Sequence, residues 1–466
     1  MRIPTSPLFI LFPLISSFPT PSSKRVPSHL LSSVTNVSND DTNYVTTEQN
    51  SKGAISLNVE ELSVKMGGWG RARLAWDYYR VGIDPLQHFT KGFHNDVTTD
   101  GTPPSTPPTT TTTTSSSNSL SRFMNIIDEE NTDISVLLPS SRATQTLGRA
   151  ALEVLAESYK DYGGKFEGGV VTLSQINSSS DETTKLLIKL HDGFEVETVI
   201  IPWKEKGFST LCISSQVGCK QACTFCATGR MGELRNLAVE EILGQFFMAL
   251  KICRLGNIPS ISNVVFMGMG EPAANSKEVK KALEILTDVD LFHQAQTKVT
   301  VSTVAPTPDA FIDFKDSPCV LAWSVHAAND ELRKKLVPTT KYKMHELRQA
   351  LIDVLLGRPK KLRVTMLEVA LIDGINDSLE CAEELAIFTQ VIIESVPNIK
   401  LMVNLIPFND IGHQSYRKPN METVKSFQKV LRDHNINSHV RVTRGDDESA
   451  ACGMLTTKRS KNIIKS

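Results

Sequence analysis

The chain has 466 residues, of which 40% are hydrophobic and 22% charged, with a formal net charge of −1. Such composition is ordinarily globular and leaves room for one large domain with a smaller one appended. It excludes a chain-wide basic surface, so a nucleic-acid partner needs a local patch. With no run of about 20 apolar residues, it also excludes a membrane-spanning helix.

Residues 1–50 read as a targeting segment. Leu8 to Ile15 is a short apolar stretch, and a Ser- and Pro-rich segment with Lys24 and Arg25 follows. No acidic residue precedes Asp40. Signal peptides have such an apolar core, and transit peptides such an acid-poor, Ser-rich sequence. The two in tandem resemble the bipartite presequence of algae with complex plastids, in which a Phe follows the cleavage point. Phe18 would be that residue. The plain alternative is a disordered tail.

Residues 51–205 are expected to form a small α+β domain that helps recognise the substrate. Helices are expected over 57–66, 70–79 and 146–159, and strands within 168–203. Gly101 to Ser119, GTPPSTPPTTTTTTSSSNS, cannot bury enough apolar surface to fold and reads as a disordered insertion.

From residue 206 to 456, short apolar runs alternate with helical stretches. The strands expected are STLCISSQ, SNVVFMGMG, KVTVSTVA, CVLAWSVHA, LRVTMLEVALI and IKLMVNLIPF. The helices expected span 238–254, 276–287, 329–336, 344–356, 378–394 and 420–433. Six β-then-α units imply an α/β fold with a parallel sheet, a partial (β/α)6 barrel. Functional residues then belong at the C-terminal strand ends. Distinctive polar residues fall there: Cys219 to Cys226, Gly268 to Pro272, Ser302, Ser324, His326 and Asn409. Residues 457–466 form a basic tail.

Three of the eight cysteines lie within CKQACTFC, as C-x3-C-x2-C at Cys219, Cys223 and Cys226. A disulfide leaves one thiol over, and structural zinc needs a fourth ligand. Most iron–sulfur clusters take four cysteines. Three thiolates on a four-iron cluster leave one iron open to bind a substrate. With Phe225 before the last cysteine, this spacing is the radical S-adenosylmethionine signature; zinc is the alternative. In FMGMGEP, Gly270 lets the backbone approach a ligand, and Glu271 can accept from the cofactor's ammonium. Ser302, Ser324 and His326 can contact its ribose or carboxylate, or be ordinary polar residues at strand ends.

LCISSQVGC, CATGRMG, GMGEP, SVHAANDELR, NLIPFN and RGDDESAACG together resemble the RNA adenine methyltransferases of the RlmN/Cfr family. The resemblance runs from about residue 56 to 456. It implies a [4Fe-4S] cluster on Cys219, Cys223 and Cys226. It also implies two S-adenosylmethionine molecules per turnover, an RNA substrate (large-subunit rRNA, tRNA or both), and an electron donor such as flavodoxin or ferredoxin. Cofactor contacts are implied at Gly270, Glu271, Ser302, Ser324, Val325, His326 and Asn409. Cys452 would be methylated, attacked by a radical at that methyl group, and joined through it to the adenine. Glu197 would take the ring proton, and Cys212 would release methyladenine as a Cys212–Cys452 disulfide.

Read without the family, Cys212 and Cys452 are small buried hydrophobes, and Glu197 is a solvated strand-face charge. Val325 stands where the family usually has Leu. GMGEP and RGDD match the branch that methylates adenine at C2; the alternatives are the C8 branch, radical modification of a non-RNA substrate, or a zinc-stabilised RNA-binding module. Basic residues at 333–343, 358–363, 441–444 and 458–465 are either solvated faces or phosphate contacts. An RNA substrate and an oxygen-sensitive cluster, joined to a signal-like start, point to the plastid, with mitochondrion or cytoplasm as alternatives.

Overall fold

The computed structural model describes residues 53–90, 134–160 and 171–455, except Gln414, Val442, Thr443, Asp446, Asp447, Glu448 and Cys452. The segment read as a targeting sequence, residues 101–119 read as a disordered insertion, residues 457–466 and Cys452 lie outside the described residues. All the described residues fall in one compact unit.

A ten-stranded mixed sheet organises it. Strands β1 (Thr172–Ser178), β2 (Thr184–Lys189), β3 (Glu195–Trp203) and β4 (Phe208–Cys212) form an antiparallel meander. β5 (Gln216–Cys219) and β6 (Gly232–Asn236) form a separate hairpin that frames the cysteine loop. β4 then pairs in parallel with β7 (Ile261–Phe266). β8 (Val299–Thr303), β9 (Val320–Ser324), β10 (Val364–Leu371), β11 (Lys400–Pro407) and β12 (Ser438–Val440) continue that parallel order. The sheet thus runs unbroken across residue 205.

The parallel strands are apolar because both faces are covered. β8 is buried at every position. Crossover helices supply the outer layer: α4 (Val239–Leu255) leads into β7, α5 (Ser276–Thr287) follows β7, α6 (Asp330–Leu336) and α7 (Met344–Gly357) both follow β9, α8 (Leu379–Ser395) follows β10 and α9 (Met421–Asp433) follows β11, while only the short helix Asp309–Ile312 joins β8 to β9. α9 shows the pattern that makes such a helix. Val424, Phe427 and Leu431 recur at helical spacing and are buried, and the Asn420 side chain caps the start by accepting from Thr423 N at 2.8 Å.

The N-terminal helices α1 (Val59–Met66), α2 (Trp69–Arg80) and α3 (Arg149–Ser158) complete the unit. α4 holds the first two. Buried Glu240 accepts from Gly53 N at 3.1 Å and from Ser56 Oγ. Arg254 donates to the carbonyls of Val81 and Gly82, each at 3.1 Å.

The sheet curls. Side chains of Val199 and Ile201 on β3 and of Cys212 on β4 face the same lumen, of about 1680 Å3, as Met366 on β10 and Asn404 on β11. That is the partial barrel expected from the alternation. Among the described residues no helix is long and apolar enough to cross a membrane.

Candidate active site

The cysteine loop leaves β5 at the C-terminal mouth of the barrel. Cys219 and Cys223 are buried and Cys226 is partly so, and all three line one cavity of about 930 Å3. An apolar shelf of Leu336, Val337, Ile372 and Phe408 packs against Cys223. Cys226 N donates to Cys223 O at 3.1 Å and Thr224 N to Leu336 O at 3.0 Å, which fixes the loop. Burial pushes the Cys219 thiol up to about 12 and the Cys223 thiol well above its usual range. Cluster or metal binding must therefore displace protons here.

Among the described residues no three His, Cys, Asp or Glu side chains converge tightly enough to hold a single metal ion. Three thiols lining one cavity suit a polynuclear cluster, whose irons are separate atoms. The cavity's donor set fits an iron–sulfur cluster and S-adenosylmethionine.

The opposite wall carries the expected cofactor contacts. Gly270, Glu271, Ser302, Ser324, His326 and Asn409 all line the cavity. Gly270 has φ +102°, and a Cβ there would meet the Gln216 side chain at 2.6 Å, so the turn requires glycine. Glu271 is buried; Oε1 accepts from Ala273 N and Oε2 from Val304 N, each at 2.9 Å. Burial raises its carboxyl above the usual range despite these donors. Val325 differs: its side chain packs in the hydrophobic core and does not line the cavity.

His326 takes a positive φ of 57° and is buried. Its Nδ1 accepts from Ala370 N at 3.1 Å, and its ring lies 4.3 Å from that of Phe225. Burial, reinforced by Arg333, holds it well below its usual value. It is therefore neutral, with the proton on Nε2.

Two residues of this wall escape sequence reasoning. Arg333, counted above among basic surface residues, is fully buried. It donates to the carbonyls of Ser324 at 2.6 Å, Val325 at 2.7 Å and Val304, splinting the ends of β8 and β9. Burial lowers it to about 10, opposed by Cys223 and Glu271, so it stays charged. Arg358 is buried too and donates to the carbonyls of Ser317 and Cys319. Neither can be a phosphate contact. The second residue is Glu368, buried on β10 and lining both the cavity and the lumen. An acidic residue inside the apolar run LEVALI is the signal that could have found it.

Cys212 lines the lumen with Ala450 and Ala451; Cys452 lies outside the described residues. Glu197 sits two residues from Val199, the partner of Cys212 in the β3–β4 ladder, and alternation puts it on the same face. It is buried, not solvated, and pairs with Lys185 at 3.2 Å. The segment around residue 452 is strapped at both sides. Upstream, Arg444 donates to Asp181 Oδ2 at 3.1 Å and O at 2.9 Å and covers the Trp203 ring. Downstream, Gly453 O accepts from Ala227 N at 2.7 Å, and Leu455 O from Thr228 Oγ1 at 2.6 Å.

Residues 213–355 match the Radical SAM superfamily. The dual-specificity RNA methyltransferase RlmN of Marinomonas sp. (strain MWYL1) is 38% identical over 351 residues, covering 72% of this chain and 86% of the relative. The chain belongs to the RlmN family. The RlmN of Marinobacter nauticus is 40% identical over 298 residues, covering 62% of this chain and 78% of that one. A radical SAM methyltransferase structure from Sphaerobacter thermophilus superposes with TM-score 0.61 at 28% identity, covering 87% of this chain and 99% of that one. RlmN-type proteins are radical SAM RNA methyltransferases, and this chain is such an enzyme. The Radical SAM family implies a [4Fe-4S] cluster and S-adenosylmethionine.

Proposed function

We propose that this RlmN-family enzyme methylates C2 of adenine in large-subunit rRNA, tRNA or both, through a methylated Cys452 and a transient Cys212–Cys452 disulfide. The observation that carries the reading is the shared lumen: Cys212, the Ala450–Ala451 segment leading to residue 452, and the wall bearing Glu197 all face it.

In this reading Cys219, Cys223 and Cys226 hold the cluster, and two S-adenosylmethionine molecules are used per turnover. Gly270, Glu271, Ser302, Ser324, Val325, His326 and Asn409 form the cofactor's surroundings, Val325 through its main chain. When bound, cluster and cofactor supply a methyl group for one step and a 5′-deoxyadenosyl radical for another. The Cys452 thiolate accepts the methyl group by displacement. Loss of a hydrogen atom from that methyl makes a carbon radical on the side chain, which adds to the ring carbon. A ring carbon that is not nucleophilic cannot attack a sulfonium, so the radical route avoids a barrier that polar transfer would meet. The adduct would then pass one electron to the oxidised cluster that Cys219, Cys223 and Cys226 would hold and, to Glu197, its ring proton. Attack of the Cys212 thiolate on the Cys452 sulfur forms the disulfide and breaks the carbon–sulfur bond, and the freed methylene takes up a proton to become the methyl group of the released methyladenine.

An electron donor such as flavodoxin or ferredoxin completes the cycle. The plastid is the proposed site of action, because it combines bacterial-type ribosomes with the presequence-like residues 1–50. A reporter fused to those residues tests it; diffuse cytosolic signal would count against it.

The chemistry is tested by nucleoside mass spectrometry. The full chain, reconstituted anaerobically, is given S-adenosylmethionine, a reductant and unmodified RNA. A 2-methyladenosine product that disappears in Cys452→Ala is expected. An 8-methyladenosine product would overturn the C2 assignment.

A further inference from the structure

Glu368 is the buried acid that the chemistry above does not use. Ser324, Glu368, Asn404 and His439 stand in register across β9, β10, β11 and β12. Residues in register share a face, so a polar row crosses the concave side of the sheet. It leads from the cysteine-lined cavity, which Ser324 lines, to the lumen, which Asn404 and His439 line; Glu368 lines both.

Glu368 is 3% exposed. Its Oε2 takes a long hydrogen bond, 3.3 Å, from Ser302 Oγ, which also lies 3.2 Å from Ser324 Oγ. Its Oε1 is buried and, among the described residues, has no hydrogen-bond partner. Arg441 Nη1 stands 3.6 Å from it, an ion-pair separation beyond hydrogen-bond reach. A buried oxygen left unfilled is costly, and one that faces a binding cavity marks where a ligand donor fits.

An ionised carboxylate only accepts, so the missing partner is a donor. S-adenosylmethionine carries three kinds: the ammonium, the adenine amino group and the two adjacent ribose hydroxyls. In the reading above, Glu271 and the cysteine loop take the ammonium end. The ribose is the middle of the molecule, and Glu368 is flanked by Ser302 and Ser324 midway between the loop and the lumen. A diol presents two donors side by side, which matches one carboxylate.

We propose that Glu368 accepts hydrogen bonds from the ribose diol of S-adenosylmethionine. This rests on the reading that the cofactor occupies the cysteine-lined cavity. The test is equilibrium binding of S-adenosylmethionine and its 2′-deoxy and 3′-deoxy analogues to the anaerobically reconstituted full chain, without turnover. The unaltered chain should bind at least one deoxy analogue about tenfold more weakly or worse. In Glu368→Gln that discrimination should shrink. The ratio is the readout, because loss of a negative charge weakens all three cationic ligands alike.

Deoxy analogues that bind as tightly as the parent to the unaltered chain would overturn the inference, whatever the variant does. So would a Glu368→Gln chain that keeps full discrimination but binds RNA more weakly, which would assign the acid to the target base. Failure of the unaltered chain to bind S-adenosylmethionine at all would instead sink the cofactor reading, and this inference with it.

Discussion

Arg333 carries a charge into a place without water, and three carbonyls and two acidic neighbours keep it there. A cluster held by three thiolates needs positive charge nearby, and Coulombic coupling to Cys223 makes Arg333 a source of it. Arg333→Met should strand the carbonyls of Ser324, Val325 and Val304 and cost roughly 3 kcal/mol of stability, read by urea denaturation, with iron content falling too. Arg333→Lys should recover little, because an ammonium cannot fork to three carbonyls. Cys212→Ala should leave the first methyl transfer intact and stall release, so a covalent protein–RNA species should build up on denaturing gels. Sequence alone shows the residue types here, not their surroundings. Arg333 and Arg358 look like surface charges in a string and are buried in space; Glu197 looks solvated and is buried against Lys185. The cysteines, Gly270 and Glu271 were legible because their spacing and strand-end placement are local.

At the scale of elements, the β1–β2 turn does more than connect strands. Asp181 in that turn holds Arg444, and Gly445, at φ +71°, packs against Thr183. Burial tends to raise the Asp181 carboxyl, but hydrogen bonds from Ser179, Thr183 and Arg444 prevail and hold it at about 2. Asp181→Asn should loosen the upstream strap of residue 452. RNA methylation should drop about 10- to 100-fold, while reductive cleavage of S-adenosylmethionine stays near normal; equal loss of both would argue against a positioning role. A second tie joins the meander to α4. His191 and Arg235 both bind Glu241, at 3.3 Å and 2.7 Å. The hydrogen bond to Glu241 raises His191 above 6.5, against the pull of burial. That tie is complete below pH 6.5 and fades as pH rises through the raised value, so His191→Gln should flatten the decline in melting temperature over that window. The crossover helices were legible to within a residue, α5 at both ends, because amphipathic period and caps are local signals. The β5–β6 hairpin and β12 were not. Both are short, and tertiary pairing, not local preference, makes them strands.

For the whole molecule, a net charge of −1 confines RNA attraction to patches. With Arg333 and Arg358 buried, Lys334, Lys335, Lys341 and Lys343 remain exposed in the first basic run, as do Lys360 and Lys361 in the second, and we propose the first four as phosphate contacts. Four such contacts to single-stranded RNA should weaken binding roughly 50-fold between 50 and 200 mM salt. A flat response would sink the patch.

The two straps have a consequence for loss of the cluster. The downstream one is tied to Ala227 and Thr228, the residues next after Cys226. Gly453 and Leu455 are therefore fastened to the very loop that a cofactor would brace. By linkage, ligand that stabilises the loop also stabilises the fastening. Loss of the cluster's bracing at the cysteines should therefore weaken the hold on Gly453 and Leu455 as well.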